Sequence, residues 1–183
     1  MTKVFIGGSR RLSRLDSAFR QRLDRIVARH LRVLIGDANG ADCAVQRCLR
    51  DKRYDNVVVF CAGTICRNNL GNWPIRQIAV GQAIKGLQLY ASKDRAMARE
   101  ASVGLMIWDG KSRGTLMNVT RLVMHGKKVL VYLMPARRFV ELKNSSDWNE
   151  FRHGLDDTLK QQVDREVQAD ASGEQAPTQP NLL

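Results

Sequence analysis

Apolar residues gather in five short runs along the chain. They are Val4-Phe5-Ile6, Val33-Leu34-Ile35, Val57-Val58-Val59-Phe60, Gly104-Leu105-Met106-Ile107-Trp108 and Val129-Leu130-Val131-Tyr132. Each run is apolar throughout and lacks the polar alternation of a strand with one face in water. A strand has this composition when helices cover both faces of its sheet, as they do in parallel sheets. The runs therefore predict five buried strands.

Between the runs, apolar residues recur at helical spacing. This pattern spans Leu15–Leu31, Asp42–Arg53, Lys93–Ala101 and Thr115–His125. In the first stretch most arginines fall outside the apolar stripe, as expected of a helix with one face on the core. Strands that alternate with helices predict an α/β fold: a Rossmann-like, doubly wound, mainly parallel sheet with helices on both faces.

One long stretch, Thr64–Leu89, departs from this alternation. It contains Gly71, Pro74, Gly81 and Gly86. A connection of this length inside a compact domain is usually functional, so we expect a functional loop over residues 64–89.

The carboxyl-terminal part has its own pattern. Apolar residues repeat every four positions, at Phe151, Leu155, Leu159, Val163 and Val167. This repeat predicts one amphipathic helix, which can dock on the body or on a second copy of the chain. After about residue 170 the composition turns to Ala, Ser, Gly, Gln, Pro and Thr, which is typical of a disordered tail. The expected organisation is a domain over residues 1–135, a helical appendage over 136–168 and a tail over 169–183.

The charge of the chain is strongly positive. Of its 183 residues, 30 are Lys or Arg and 18 are Asp or Glu, which gives a formal net charge of +12. The first 53 residues hold 13 of the basic residues and 5 acids. Such an excess favours polyanionic partners, namely nucleotides, nucleic acids or an acidic protein, and the Arg14–Arg32 helix would contact them. A solvated basic surface is the alternative.

Neither a membrane span nor a signal peptide is expected, because no apolar run is long enough, and we expect a cytoplasmic protein. The cysteines are Cys43, Cys48, Cys61 and Cys66. Their spacing matches no metal-binding pair, so we expect no metal and mainly buried or incidental thiols. Redox activity of the pair that flanks a loop, Cys61 and Cys66, is the alternative.

Three predicted strands end in turns with residues suited to a ligand. The turns are Gly7-Gly8-Ser9-Arg10-Arg11, Gly36-Asp37-Ala38-Asn39-Gly40-Ala41-Asp42 and Asp109-Gly110-Lys111-Ser112-Arg113-Gly114-Thr115. In an open parallel sheet, ligands bind beyond the carboxyl ends of the strands. Glycines admit a phosphate close to the backbone, and hydroxyls, cationic side chains and unpaired helix amides bind it. Tight turns and helix caps explain the same residues structurally.

Within the second turn, Asp37 or Asn39 can contact a ribose hydroxyl or a base. The long stretch over residues 64–89, called the middle segment below, offers further contacts. Arg67 can clamp a phosphate, Asn68 and Asn69 can bind base edges, and Trp73 can stack on a purine. The alternative is that Trp73 only anchors a long loop to the body.

Four carboxylates are candidates for catalysis because they lie at or near strand ends or helix starts: Asp37, Asp42, Asp94 and Asp109. A glycosidic hydrolase needs one such group to orient water or to stabilise developing positive charge. Helix capping or a structural ion pair is the alternative role for each. Asp94 follows Lys93 at the predicted start of a helix.

The order and spacing of these motifs resemble the SLOG superfamily of Rossmann-like proteins. The similar segments are Val4–Arg10, Gly36–Asp42, Lys93-Asp94 and Trp108–Asn118, within roughly residues 3–133. The stretch Cys66–Pro74 is similar to a signature of the YspA/YpsA-related, DUF2493-like branch. The resemblance implies binding of nucleotides or their derivatives, and in some members hydrolysis of the N-glycosidic bond of nucleoside monophosphates.

A more distant resemblance is to the phosphoribohydrolases once mislabelled lysine decarboxylases, whose loop reads GGxGTxxE and carries a catalytic glutamate. Here Gly114-Thr115 is kept, but Asn118 stands at the glutamate position. An amide cannot act as a carboxylate base, so that mechanism does not transfer to this chain.

We therefore expect a protein that binds a nucleotide or nucleotide derivative, as a sensor or regulatory protein, and needs no other cofactor. An enzyme that cleaves or transfers a nucleotide N-glycosidic bond with an aspartate is the alternative. A nucleic-acid-associated factor that uses the basic helix is the second alternative.

Overall fold

The computed structural model of the chain describes residues 1–79 and 87–174. In chain order, the elements are β1 (Lys3–Gly8), α1 (Ser17–Ala28), β2 (Arg32–Gly36), α2 (Ala41–Asp51), β3 (Val57–Ala62), β4 (Ile75–Ile78), α3 (Leu87–Glu100), β5 (Val103–Trp108), α4 (Arg113–Met124), β6 (Lys128–Leu133), β7 (Arg138–Leu142), α5 (Ser145–His153) and α6 (Asp157–Glu174). None of the helices in these residues is both long and apolar enough to cross a membrane.

The strands form one sheet in the order β4-β3-β2-β1-β5-β6-β7. All neighbouring strands pair in parallel except β7, which runs antiparallel to β6. The chain builds outward from β1 to β4 and then returns to place β5 on the other side of β1. The strand order thus reverses between β1 and β5, and this switch point is where open α/β sheets bind ligands. The predicted doubly wound α/β fold is confirmed.

Helices cover both faces of the sheet because alternate strand residues point to opposite sides. Val4 and Ile6 of β1 pack in one core with α1 and α2, through residues such as Phe19 and Val45. Phe5, between them in sequence, packs in a second core with α3, α4, α5 and α6. The five predicted strands are buried in these two cores, which explains their continuous apolar sequences.

The structure differs from the predicted elements in five places. Strands β4 and β7 were not predicted, and α3 begins at Leu87, six residues earlier than expected. The prediction of a single carboxyl-terminal helix was wrong: two helices, α5 and α6, are separated by a short connection that begins at Gly154. Helix α6 also continues to Glu174, into the expected tail. Residues 80–86, with Gly81 and Gly86 of the expected loop, and 175–183 of the expected tail lie outside the described residues.

Candidate functional site

The turns after β1 and β5 are bonded to each other. The Ser9 amide donates to the Ile107 carbonyl at 3.1 Å, and the Ser9 hydroxyl donates to the Asp109 carboxylate at 2.6 Å. A Cβ on Gly8 would lie 2.5 Å from the Ile107 carbonyl oxygen and 3.0 Å from the Cβ of Ala41. Glycine is therefore required at position 8 for the three segments to approach this closely.

The turn after β2 joins the same place. The Ala41 amide donates to the Ser9 carbonyl at 3.0 Å. Gly40 has a φ of 81°, a conformation that favours glycine, and it lies against the backbone of Arg10. The turns after β1, β2 and β5 thus meet at one edge of the sheet beside β1. We call this place the crevice.

Asp109 is bound within the crevice rather than open to a ligand. Besides the Ser9 hydroxyl, its carboxylate accepts from the amides of Lys111, at 3.0 Å, and Ser112, at 2.7 Å. Burial alone would raise the pKa of Asp109, but these hydrogen bonds outweigh it and lower the pKa. The carboxylate thus occupies two amides of this turn, those of Lys111 and Ser112. Phosphate binding by the turn stays a prediction.

The start of α4 is partly capped as well. Ser112 accepts from the Thr115 amide at 3.4 Å and from the Thr115 hydroxyl at 2.9 Å, and Thr115 is buried. Gly114 differs, because no atom lies within 4 Å of where its Cβ would be. Space for a ligand at this helix start is therefore at Gly114 and the exposed Lys111. Gly110, with a φ of 82°, shapes the turn.

A buried lysine lies beneath the turn after β2. The Lys93 ammonium, on α3, is 3.1 Å from the Asp94 carboxylate and 3.8 Å from that of Asp37. A Cβ on Gly36 would lie 2.5 Å from both the Lys93 ammonium and the Asp42 carboxylate. Gly36 thus makes room for a buried cluster of one ammonium among three carboxylates.

Within the cluster, the pKa values of Asp37 and Asp42 are shifted in opposite directions. For Asp42, burial raises the pKa to about 6, against the opposing effect of the Lys93 charge. For Asp37, burial acts in the same sense, but hydrogen bonds from the Arg67 side chain and amide outweigh it and lower the pKa. Buried groups with perturbed pKa values that lie at a ligand-binding edge are typical of functional sites.

Polar contacts continue from this cluster toward the carboxyl terminus. Asn118 donates to Asp94 at 3.2 Å and accepts from Arg121 at 2.8 Å. Arg121 in turn donates to Asp170 on α6 at 2.7 Å, and Asp170 also accepts from Arg95 at 2.8 Å. We call the series Arg67, Asp37, Lys93, Asp94, Asn118, Arg121 and Asp170 the polar network. It joins α3, α4 and α6 to the crevice.

Arg67 and Asn68 lie against the turn after β2. Both terminal atoms of the Asp37 carboxylate accept from Arg67, at 2.7 Å and 3.1 Å, and the guanidinium lies 4.3 Å from the centre of the Tyr90 ring. Asn68 donates to the Asp37 carbonyl at 2.7 Å and to the exposed Asn39 side chain at 3.1 Å. The structure thus brings three predicted ligand residues, Arg67, Asn68 and Asn39, to the crevice edge.

Asn69 and Trp73 do not reach the crevice. Asn69 donates to the Trp73 carbonyl and accepts from the Trp73 amide, which closes a turn. The Trp73 ring is 7% exposed, and its indole N–H donates to the Tyr54 carbonyl at 2.8 Å. Tyr54 precedes β3, at the opposite edge of the sheet. Of the two interpretations of Trp73, the structure supports the loop anchor, and its role in stacking on a purine was wrong.

The cysteines differ from expectation. Cys61 and Cys66 form a disulfide, so the prediction of incidental thiols was wrong for this pair. Cys43 and Cys48 are free and half-buried, and burial raises the pKa of each thiol. The two bonded sulfurs lie within 4.8 Å of an Asp37 carboxylate oxygen, a grouping of metal-ligand types, but Asp37 is bound to Arg67. The expectation of no metal stays a prediction.

Sequence reasoning missed Gln46 on α2. It is fully buried, donates to the Gly36 carbonyl at 2.8 Å and accepts from the Leu70 amide at 2.9 Å, so it ties the middle segment to the end of β2. A signal was present, because Gln46 is a polar residue next to Val45 on the apolar face of the predicted helix.

Two cavities lie near the same edge of the sheet. The larger, of about 710 Å³, lies between β7 and α5 and reaches Gly110 at the end of β5. The smaller, of about 260 Å³, lies beside α1 and is lined by Leu12, Arg14, Leu15, Asp16, Phe19, Ile107, Tyr132, Met134 and Arg137. We call the smaller one the Tyr132 cavity.

The fold and crevice define the class of this molecule: a Rossmann-like α/β protein whose strand-end turns converge beside its first strand. No protein-family profile and no curated protein sequence matches the chain. Among solved structures, the chain is similar in fold to DNA processing protein A from Helicobacter pylori, with a TM-score of 0.57 and 14% sequence identity over 92% of this chain and 81% of that one. That structure was described for its single-stranded DNA binding mode. The resemblance to the SLOG superfamily stays a prediction.

Proposed function

We propose that the protein binds a nucleotide or nucleotide derivative in the crevice, as a sensor or regulatory protein. The observation that carries the proposal is the convergence of the turns after β1, β2 and β5 at the strand-order switch, through the Ser9–Asp109 and Ala41–Ser9 hydrogen bonds. This is the position at which open α/β sheets bind ligands.

The charge and backbone around the crevice suit a phosphate. Helix α2 begins after Gly40 with no side-chain cap. Its Ala41 amide donates to the Ser9 carbonyl, so what this helix start offers an anion is the positive end of its dipole at the crevice. Arg10, Arg11 and Lys111 are exposed on the adjoining turns and can supply charge-assisted hydrogen bonds. The Asp37 carboxylate is bound to Arg67 and the Asp109 carboxylate to Ser9, so their electrostatic repulsion of a phosphate is reduced.

The test is a thermal-shift screen of the purified protein with mononucleotides, NAD, ADP-ribose and cyclic nucleotides. A ligand at 100 times its Kd stabilises the fold by about 2.7 kcal/mol, a shift that the screen detects. The double substitution Arg10→Gln/Arg11→Gln should weaken binding at least tenfold, because it removes two cations from the crevice. Arg29→Gln is the matched control, since Arg29 is equally exposed but follows α1 at the opposite edge of the sheet. Absence of stabilisation by every nucleotide, or equal losses in both variants, would contradict the proposal.

A second candidate is cleavage or transfer of a nucleotide N-glycosidic bond. It is favoured by Asp42, whose pKa is raised to about 6 and therefore suits a proton-transferring group. Asp94 lies 3.2 Å from Asn118 and places a carboxylate beside the position from which the glutamate is missing. Chromatography of each mixture of protein and nucleotide tests this. Release of free base by the wild-type protein, and its absence in a folded Asp94→Asn variant, would support the enzyme. A nucleotide recovered intact supports the binding protein.

A third candidate is association with nucleic acid through α1. Arg20 and Arg25 are exposed on this helix, with exposed Arg14 just before it and Arg29 just after it. The structurally similar DNA processing protein A binds single-stranded DNA. Affinity for single-stranded oligonucleotides should then fall steeply with salt, and Arg25→Glu should weaken it. Salt-insensitive binding excludes this function.

A further inference from the structure

The Cys61–Cys66 disulfide joins a buried strand to an exposed loop. Cys61 lies in β3 and is fully buried, whereas Cys66 is half-buried. Thr64 and Ile65, between them, are exposed, so solvent reaches the loop next to Cys66. An external thiolate therefore attacks the Cys66 sulfur, because access decides which sulfur of a disulfide reacts.

The same disulfide lies against the crevice. Both of its sulfurs are within 4.8 Å of an Asp37 carboxylate oxygen. Arg67 follows Cys66 directly and binds the Asp37 carboxylate through its amide, at 3.1 Å, and its guanidinium, at 2.7 Å. The covalent bond thus fixes the residue next to the one that neutralises a crevice carboxylate.

The segment that carries Arg67 is held on two sides. On one side the disulfide ties it to β3, and on the other the Leu70 amide donates to Gln46 at 2.9 Å. Without the disulfide, the first side is linked to β3 through the exposed residues 64 and 65. Loss of this tie therefore lets Arg67 move away from Asp37.

We propose that the Cys61–Cys66 disulfide is a redox switch for the crevice, opened by a dithiol reductant. The oxidised protein holds Arg67 on Asp37 and binds the nucleotide tightly. The reduced protein releases Arg67, and the Asp37 carboxylate, without its cation, repels the phosphate. This inference rests on the proposed function and adds the regulation of its site.

The reduction proceeds by two thiol–disulfide exchanges. A thiolate of the dithiol bonds to the Cys66 sulfur, the bond between Cys61 and Cys66 breaks, and the Cys61 sulfur leaves as a thiolate. The second thiolate of the reductant then displaces the Cys66 sulfur and closes the reductant into its own disulfide. Two electrons pass from the dithiol to the protein, and the two thiol protons of the reductant end on Cys61 and Cys66.

The test is calorimetric titration of the full chain, oxidised and after reduction with dithiothreitol, with AMP, GMP, CMP, UMP, NAD, ADP-ribose and cyclic AMP. Alkylation and mass spectrometry count the free thiols, and melting curves report on folding. Cys61→Ala/Cys66→Ala represents the reduced form. Cys43→Ala/Cys48→Ala is the matched control, since it removes two thiols but keeps the disulfide.

At least one of these nucleotides should bind the oxidised wild-type protein about tenfold more tightly than the reduced protein, the loss of one interaction with a charged group. Cys61→Ala/Cys66→Ala should bind it as weakly as the reduced protein, with or without dithiothreitol. Cys43→Ala/Cys48→Ala should respond to reduction like the wild type.

Arg67→Gln separates the switch from a general loosening of the fold. It should bind the nucleotide as weakly as the reduced wild-type protein, and reduction should weaken it no further, because the group that the disulfide positions is already missing.

The coupling is reciprocal, so the nucleotide should stabilise the disulfide. A tenfold preference for the oxidised form corresponds to a reduction potential lowered by about 30 mV at saturating nucleotide. Equilibration of the protein in dithiothreitol redox buffers, with and without the nucleotide, measures this shift.

The results that overturn the inference are distinguishable from failure of the proposed function. Binding that is equal in both redox forms or tighter in the reduced one, or a redox effect that persists in Arg67→Gln, removes the switch and leaves the crevice proposal intact. A protein that unfolds on reduction also removes the switch, since the disulfide is then required for folding. Binding of none of the nucleotides by either folded form overturns both.

Discussion

Asp37 and Asp42 flank the turn after β2 and lie in the same buried cluster, yet their pKa values move apart. Arg67 hydrogen-bonds both oxygens of Asp37, so its anion is favoured despite burial. Asp42 accepts from the Ala38 amide at 3.0 Å, which is too little to offset burial. The hydrogen bonds from Arg67 thus lower the pKa of Asp37, whereas Asp42 lacks such a partner and burial raises its pKa to about 6.

The pH dependence of stability should show this difference for Asp42. Its folded-state pKa, about 6, is above the ordinary value of 3.8, so its contribution to the free energy of unfolding is fully present below about pH 4 and is lost as the pH rises through 6. The stability of the wild-type protein relative to Asp42→Asn should therefore fall by on the order of 1–3 kcal/mol between pH 4 and 7. Urea unfolding at several pH values measures it. Asp51→Asn, at the exposed end of the same helix, is the control for the change from Asp to Asn itself.

Two glycines of the crevice should respond oppositely to alanine. At Gly8 a Cβ would lie 2.5 Å from the Ile107 carbonyl oxygen, so Gly8→Ala must separate β1 from β5 and should cost about 1–3 kcal/mol. At Gly114, in the first turn of α4, a Cβ meets no atom within 4 Å. Gly114→Ala should therefore raise stability by up to about 1 kcal/mol through helix propensity. Urea unfolding of the two variants gives both values; the same sign in both would contradict the geometry.

Among the elements, the link from β3 to the middle segment depends on the Cys61–Cys66 disulfide. It closes a loop of sequence separation 5, and Arg67, the next residue, binds Asp37 through its amide and guanidinium. Reduction should lower the free energy of unfolding by about 2 kcal/mol and speed hydrogen exchange at the Arg67 amide, because the segment that holds it is released. Hydrogen-exchange mass spectrometry of oxidised and reduced protein measures this. A Cys43→Ser/Cys48→Ser variant, which keeps the disulfide, should respond to reduction in the same way.

The elements that the sequence predicts are those with two covered faces. Strands β1, β2, β3, β5 and β6 are continuous apolar runs because neighbours and helices surround them. Edge strands β4 and β7 pair on one side only, so polar residues such as Arg76 and Glu141 are tolerated and no apolar run appears. The four-residue repeat does not reveal the break at Gly154, since Phe151 of α5 and Leu155 of the connection to α6 pack on the same core.

For the site, sequence shows which turns meet but not how their side chains are bonded. Parallel strands bring their carboxyl ends to one edge, so the crevice at Ser9, Asp37 and Asp109 was predictable. The occupation of Asp109 by Ser9 and the contact of Lys93 with Asp37 depend on the separation of residues remote in sequence. The role of the Trp73 ring could not be decided from sequence, because stacking on a ligand and anchoring a loop require the same residue type.

At the scale of the whole molecule, the charge of +12 works against folding. Repulsion among the cations destabilises the compact state, and salt screens it. Raising the NaCl concentration from about 10 mM to 150 mM should therefore increase the melting temperature, by about 2–4 °C for each 1 kcal/mol regained. Differential scanning calorimetry in a buffer of monovalent ions tests this. A melting temperature that falls with salt would show that the ion pairs outweigh the repulsion.

Helix α6 supplies the final carboxylate of the polar network, Asp170, and Arg121 beside it is only 9% exposed. A chain shortened to end before residue 157, for example to aid crystallisation, would lack Asp170, and the Arg121 guanidinium would lose this counter-ion. Arg121 donates to Asn118, and Asn118 donates to Asp94, so the loss would be felt close to the crevice. Affinities measured on the shortened chain would then describe a rearranged crevice. Ligands should therefore be screened with protein that retains α6.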